Sequence, residues 1–378
     1  MTAPLHYVDV SAAVHRRAGL GRYAESLIRA MNELAPDRIG LFYNRESGIH
    51  PIQGLDHLPT RTVRLGYKPW RMLVWLGQLS HIGWDRFFRD TLTFHATEHL
   101  LLPLHSVPAV LTVHDLIFRR FPQYHKPLNR WYLNLTMPLY VKQATAIIAI
   151  SQATKQDLIS AYGVPADKIR VVYEAADPRF KPQAEHEIAR VRSKYSLPER
   201  YILFVGTIEP RKNLPRLLEA YRKVHRAGLT DALVVVGKRG WLVGDFFRKL
   251  EDETLPPVIL PGFVSDEDLP ALYAGAQALA FPSLFEGFGL PMLEAMACGT
   301  PVVASRAGSL PEIGGDAAVY FDPESIEEMA EALERVLTDA ELAEHLRRKG
   351  LARAKQFSWR KAARETLDIY TSIRGAAR

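Results

Sequence analysis

Residues 285–305 read FEGFGLPMLEAMACGTPVVAS, and the fold follows from how that stretch is parsed. An apolar run, ALAFP at 278–282, leads into it, and a second, PVVAS at 301–305, closes it. Proline just inside a helical pattern (Pro291) and glycine just past it (Gly299) are ordinary helix punctuation, so a helix is expected from near Pro291 to before Gly299. The order is strand, glycine-containing loop, helix, strand: a βαβ unit with parallel strands. Glu286 falls on the loop and Glu294 in the expected first helical turn, both among apolar residues. A buried ionised carboxylate costs on the order of several kcal/mol unless something satisfies it. These two are either exposed or matched to a polar ligand.

The same alternation runs outward in both directions. Strands are expected at 5–10, 91–96, 109–113, 146–150 and 169–173, then at 201–206, 232–237, 258–262, 278–282, 301–305 and 318–321, with helical-period segments between them. A chain of 378 residues exceeds the roughly 250–300 that one core serves, so two domains are expected. The fold class is α/β, with two doubly wound Rossmann-like domains of which each closes its own sheet. The proline-bearing polar stretch EAADPRFKPQAEHEIARVR marks the join, giving domains 1–181 and 182–362 and a terminal segment 363–378. Apolar residues at 359, 362, 363, 367 and 370 form a helical stripe able to dock on either domain.

With 47% hydrophobic and 24% charged residues and no low-complexity tract, disordered and fibrous classes are excluded. No run approaches the ~20 apolar residues of a membrane helix, and the first residues lack a basic then apolar leader pattern, so a cytoplasmic protein is expected. Cys298 is the one cysteine; it cannot form an internal disulfide and reads as a small core residue. The net charge of +6 is uneven: residues 1–181 carry 22 Lys and Arg against 14 Asp and Glu, whereas residues 182–378 carry 26 against 28. The basic half is the one suited to an anionic partner, unless its surface is simply solvated.

Four further motifs lie at expected strand ends, where open α/β sheets bind ligands. In VGTIEPRKNLPRLLEAY, Arg211 and Lys212 could neutralise a diphosphate, although Arg-Lys at a helix start is also common surface charge. Gly287 and Gly289 let backbone N–H groups approach a phosphate over the next helix N-terminus. In SAAVHRRAGLGRYAESLIRAM, Gly19 and Gly21 read as a turn before a helix and a wall of a cleft. In AVLTVHDLIF, His114 and Asp115 follow an apolar strand; a histidine there is either a core residue or a contact to a reacting group. The stretch YKPWRMLVWLGQLSHIGWDRFF at 67–88 mixes Trp70, Trp75 and Trp84 with cations, and reads as a core helix with a basic outer face or as a membrane-surface helix.

Together these residues resemble the retaining glycosyltransferases of family 4, nucleotide-sugar enzymes of the two-domain GT-B fold. The resemblance rests on the E-x7-E spacing of Glu286 and Glu294, on RKN at 211–213 after FVGT, on AGLGRY and on LTVHD, and in kind it extends over nearly the whole chain. It implies an N-terminal acceptor domain, a C-terminal donor domain and a final helix that crosses back to the N-terminal domain. It implies that Glu294 holds the ribose and Glu286 the sugar hydroxyls, and that Arg211 and Lys212 meet the diphosphate. Backbone at Phe288, Gly289 and Leu290 would line the donor site, with Gly19, Gly21 and Thr207 beside it, and His114 would touch the transferring sugar. Asp115, Arg16 and Arg17 fall on the acceptor side. One departure stands out: many members carry Arg where this chain has Thr207, so either Arg211 supplies the charge or the phosphate is held more loosely.

The subgroup with GT-x-EPRKN includes mannosyltransferases of surface polysaccharides, which implies GDP-mannose as donor, with a UDP-sugar as the alternative. The expected acceptor is a glycan, lipid-linked or phosphorylated, and the basic N-terminal half allows peripheral contact with an inner membrane face; nucleic acid is not expected. Neither cofactor nor metal is called for, because fixed cations and a helix N-terminus can stabilise the leaving diphosphate. Attack by the acceptor on the front face is expected, since Asp115 is the only carboxylate the sequence sets near His114. A nucleotide-sugar epimerase and a non-catalytic binder are the rival classes; the first would release no nucleotide and the second would turn over nothing.

Overall fold

A computed structural model describes residues 5–45 and 48–375. Two units are formed, residues 1–174 with 358–378 and residues 175–357. Each is built on its own parallel sheet. In the first unit the strands are β1 (Leu5–Asp9), β2 (Ile39–Asn44), β3 (Thr60–Val63), β4 (Thr91–Ala96), β5 (Ala109–Val113), β6 (Ala146–Ala149) and β7 (Ile169–Val171), arranged 3-2-1-4-5-6-7. In the second they are β8 (Tyr201–Val205), β9 (Ala232–Val236), β10 (Val258–Ile259), β11 (Ala278–Phe281), β12 (Val302–Ser305) and β13 (Ala318–Phe321), arranged 10-9-8-11-12-13. Both are doubly wound orders in which the winding reverses at one place, between β1 and β4 and between β8 and β11.

All eleven expected strands are present, most of them a residue or two shorter than drawn. Two more, β2 and β3, were not expected. β2 has a glycine inside an otherwise short apolar run, and Gly40 is there because a Cβ would lie 2.7 Å from the Tyr7 ring. β3, Thr-Arg-Thr-Val, is an edge strand with its first residue exposed, so it needs no apolar alternation to be stable.

The central strands of both sheets are buried on both faces, as near-continuous apolar runs require. In the first unit Phe42, Phe88 and Phe94 meet edge to face with ring centroids 4.9–5.6 Å apart, and Trp70 packs on Phe42 at 5.8 Å. Trp84 stands edge-on to Trp70 at 5.2 Å, so the tryptophans of 67–88 face the core. The helix Tyr67–Ser80 is a core helix along that side.

The linker between the sheets passes from one unit to the other at Glu174, ahead of the expected join at 181, because its next residues already pack on the second unit. Phe180 stands edge-on to Tyr273 at 5.8 Å, and Arg179 pairs with Asp266 at 3.5 Å. The last helix, Trp359–Gly375, belongs to the first unit from its first turn. Trp359 meets Tyr23 at 5.9 Å, and the Tyr370 hydroxyl lies 2.6 Å from Nδ1 of buried His95. Among the described residues no helix is long and apolar enough to cross a membrane.

Candidate active site

The switch point of the second sheet is where the strongest sequence motif lands. β8 delivers Gly206, Thr207 and the single 3-10 turn Pro210–Lys212; β11, its neighbour, delivers the loop that contains Glu286. The two loops are joined through backbone, Leu284 N donating to Arg211 O at 2.8 Å. Asn213, in the left-handed region at φ 59°, turns the chain into the helix Leu214–Arg226 and donates to Pro282 O and Pro323 O.

Glu286 is buried, and two cations meet it. Lys212 Nζ donates to Oε1 at 2.5 Å and Arg211 Nη1 lies 2.8 Å from Oε2. Arg211 also donates through Nη2 to Glu209 and through Nη1 to Phe285 O at 2.7 Å. Burial pushes the Glu286 carboxyl up, but the charges of Arg211 and Lys212 outweigh it and bring it down to about 2. Lys212 is drawn below its ordinary value by burial, with Arg211 adding to the effect and Glu286 opposing it. The result is a compact, nearly neutral set of two acids and two bases at the mouth of the sheet. Arg-Lys here is therefore not surface charge, and Glu286 is not exposed.

The loop after Glu286 is held by a second turn that sequence reading passed over. Ser309 Oγ donates to Glu286 O at 3.1 Å and to Phe288 O at 2.7 Å, while Ser305 Oγ donates to Ser283 O. Gly308, at φ 58°, lets that turn approach; a Cβ on it would stand 2.3 Å from Glu286 O. Gly289, at φ 105°, ends the loop and starts the helix Leu290–Cys298 with no side chain capping it. Such a helix end offers backbone N–H groups and a partial positive charge to an anion. Glu294 lies one residue beyond the first turn, buried, and accepts from the Tyr273 hydroxyl at 2.8 Å. Thr207 is half-buried beside Gly240 and Ile208.

In the first unit the other candidates gather at strand ends as well. His114, just past β5, is buried with both ring nitrogens matched: Nε2 lies 2.8 Å from Thr97 O and Nδ1 3.3 Å from Glu174 Oε1. Burial works against its charged form, yet Glu174, Thr97 O and Asp115 more than offset this and raise its pKa. Asp115 accepts from Ile117 N at 3.0 Å and so closes a turn. Glu174, and not Asp115, is the carboxylate in contact with His114; it was missed because 60 residues separate them in sequence. At the β1/β4 switch point Arg17 donates to both oxygens of Glu98, at 2.9 and 2.6 Å, and lies 3.7 Å over the Tyr67 ring. Beside it buried Asp9 is pushed up to about 7, first by burial and then by Glu98. Arg16 is exposed at φ 49°.

Gly19 and Gly21 do not form a turn ahead of the helix. They lie in the first turn of the helix Ala18–Leu34, and Gly21 is there for packing: a Cβ would sit 2.8 Å from Ala12 O. Cys298 is buried, as expected, and burial raises its thiol. Among the described residues no group of His, Cys, Asp and Glu could hold a metal ion.

Two doubly wound sheets, each with charged loops at its switch point, define an enzyme of the twin-Rossmann kind that binds ligands beyond its strand ends. Residues 17–180 match the family described as Glycosyltransferase Family 4, and residues 186–353 match the one described as Glycosyl transferases group 1. The chain is 36% identical over 272 residues to the O-antigen chain mannosyltransferase B of Escherichia coli, which covers 71% of each protein. It is 32% identical over 300 residues to the serotype-specific mannosyltransferase WbdA of Escherichia coli, spanning 72% of this chain and about a third (34%) of that longer protein. Among solved structures, sucrose-phosphate synthase from Thermosynechococcus elongatus superposes with a TM-score of 0.77 at 20% identity, over 98% of this chain and all of that one. The chain belongs to glycosyltransferase family 4, a family of retaining enzymes, and has the GT-B fold.

Proposed function

We propose that this enzyme transfers mannose from GDP-mannose, with retention, to a hydroxyl of a surface polysaccharide or glycolipid acceptor. The observation that carries the reading is the likeness, at 36% and 32% identity, to two mannosyltransferases. A UDP-sugar as donor is the second reading, and a lipid-linked or phosphorylated glycan is the acceptor class.

On this reading the diphosphate lies over the uncapped end of the helix Leu290–Cys298, with Phe288, Gly289 and Leu290 backbone beside it and Glu294 on the ribose. Lys212 has three N–H donors and gives one to Glu286, so two remain to meet phosphate oxygens without releasing the carboxylate. Glu286 thus has two roles, fixing Lys212 before the donor arrives and accepting from a sugar hydroxyl once it is bound. Charge develops on the departing phosphate oxygen, where cations already held in place stabilise it without reorganising. Thr207, Gly19 and Gly21 are proposed to border the donor, and Arg16, Arg17 and Asp115 the acceptor. His114, held by Thr97 O and Glu174, presents a fixed ring, its charged form favoured by Glu174, to the transferring sugar. Its carboxylate neighbour is committed to it, which favours front-face attack by the acceptor over a glycosyl-enzyme intermediate.

The test is nucleotide release by the full chain with GDP-mannose and with UDP-glucose, each with and without a mannose-ended acceptor. GDP release that needs acceptor is expected, and donor consumption without it would point to an epimerase. Glu286→Ala and Lys212→Ala should each lower kcat/KM by about a hundredfold or more, as loss of a transition-state charge contact does; full activity in both would end the assignment. Turnover should survive EDTA.

A further inference from the structure

The chain passes between the two units at two places, after Glu174 and after Phe357. At the first, Glu174 is the last residue of the first unit, and its Oε1 faces Nδ1 of His114 at 3.3 Å. Six residues on, Phe180 is buried in the second unit against Tyr273, at 5.8 Å, and the Tyr273 hydroxyl donates to Glu294 at 2.8 Å. At the second, Phe357 is the last residue of the second unit and stands edge-on to Phe288, on the loop after Glu286, at 6.1 Å. Two residues on, Trp359 is edge-on to Tyr23 in the first unit at 5.9 Å, and Tyr23 is edge-on to the ring of His114 at 4.7 Å. Each crossing thus has a neighbour of His114 at one end and a neighbour of Glu294 or Phe288 at the other.

Both crossings are stiff. In the first, proline fixes the backbone at Pro178, while Arg179 N donates to Asp177 Oδ1 at 2.9 Å and Phe180 N to Asp177 O at 2.9 Å. In the second, Phe357 N donates to Ala354 O at 3.1 Å and Ser358 Oγ accepts from Lys361 N at 3.1 Å, which ties the segment to the helix on either side. Tyr23 is pinned at its hydroxyl, 3.0 Å from Thr112 Oγ1, so Trp359 bears on its ring. The contact on which the crossings converge is slack. A hydrogen bond between charged groups is ordinarily about 2.7–2.9 Å long, so 3.3 Å between Nδ1 and Oε1 leaves this pair room to shorten.

We propose that the two crossings couple the nucleotide site of the second unit to His114: a bound nucleoside diphosphate, by ordering Glu294 and the Phe288 loop, draws Glu174 onto Nδ1, and Phe180 and Phe357 are positioning residues for the ring. This rests on the donor reading above, through the places given there to Glu294 and Phe288. Shortening the contact favours the charged ring, and coupling is reciprocal, so the nucleotide binds more tightly when the ring is charged. Asp115, His95 and His99 also interact electrostatically with the ring and Tyr23 lies against it, but none of them is on a crossing.

The His114 ring is titrated by proton NMR in the full chain, free and saturated with whichever of GDP and UDP binds, and the Kd of that nucleotide is measured by calorimetry below and above the midpoint. The nucleotide should raise the midpoint, and Kd should be at least about fivefold lower below it than above it. His114→Gln gives the part of that ratio which belongs to titration of the nucleotide itself. Phe180→Leu and Phe357→Leu should each bring the ratio close to the His114→Gln value while the nucleotide still binds, and Phe357→Tyr, which keeps the ring, should preserve the wild-type ratio. Half-buried Phe357 carries the test should the Phe180 variant fail to fold. A midpoint that nucleotide leaves unmoved overturns the proposal; so does a rise undiminished by both Leu substitutions together, which would be the field of the phosphates alone. Failure of the donor reading looks different: nucleotide binding would then be indifferent to Glu294→Gln, and the coupling would fall with it.

Discussion

Replacing Glu286 by Gln removes one charge and almost no volume, which makes it the sharpest probe of the second switch point. The carboxylate is buried against Lys212 at 2.5 Å and Arg211 at 2.8 Å, so Glu286→Gln leaves two cations facing each other with only Glu209 to answer them. Two estimates of the cost agree. Removing one partner of a buried ion pair costs about 3–5 kcal/mol. Moving the carboxyl from 4.5 to about 2 on folding is worth about 3 kcal/mol at neutral pH. Because the folded value is depressed, that stabilisation is present above pH 4.5 and is lost as pH falls toward 2. The difference between wild type and variant should therefore be about 3 kcal/mol at pH 7 and roughly half that at pH 3, where the wild type, closer to protonation, comes to resemble the amide. Urea unfolding followed by circular dichroism across this range measures it. A difference that is absent at pH 7, or that does not shrink with acid, would refute the ion-pair account.

Three further outcomes follow from other contacts. Glu174→Gln should move the ring titration of His114, followed by proton NMR, to lower pH, because Glu174 is the group that most opposes burial there. Since the folded His114 value is raised, its stabilisation holds below the ordinary 6.5 and fades as pH rises through the folded value; the variant should lose this alkaline decline, and the alkaline limb of its activity should begin earlier. Thr97 O and Asp115 also favour the charged ring, so the residual upward effect is theirs, while His99 and Tyr23 stand edge-on to it at 6.2 and 4.7 Å. Tyr370→Phe strips Nδ1 of buried His95 of its partner and should cost about 1–3 kcal/mol in thermal or urea unfolding while leaving donor binding unchanged. Gly308→Ala should cost about 1–3 kcal/mol for its left-handed backbone alone, and weaken donor binding as well, because the added Cβ meets Glu286 O at 2.3 Å; a variant with native stability and donor affinity would count against the role of that turn.

Much of this was legible before folding. Central parallel strands are apolar throughout, so β5, β6, β8, β9 and β11 announce themselves, and the glycine and proline around Leu290–Cys298 mark that helix to within a residue. The edge strand β3 did not, since a strand paired on one side only carries little apolar signal. Glycines misled in one place: Gly19 and Gly21 read as a turn, but Gly21 is required by the close approach of Ala12. The stretch 67–88 could be read two ways from its tryptophans; in the structure Trp70 is buried and Trp75 and Trp84 pack against the core, and the exposed residues are the aliphatic ones between them.

The sequence by itself determined the family, the paired parallel sheets and the strand ends at which charged residues collect, because these depend on local period and on motifs read within some twenty residues. It also posed the question of what satisfies Glu286. Only the tertiary structure decided the answer, since Glu286 lies 74 residues from Lys212 and meets it because β8 and β11 are neighbours. The pairing of His114 with Glu174 and the turn at Ser309 have the same origin. Charge partners in a doubly wound fold are set by which strands lie side by side, and chain order does not carry that information.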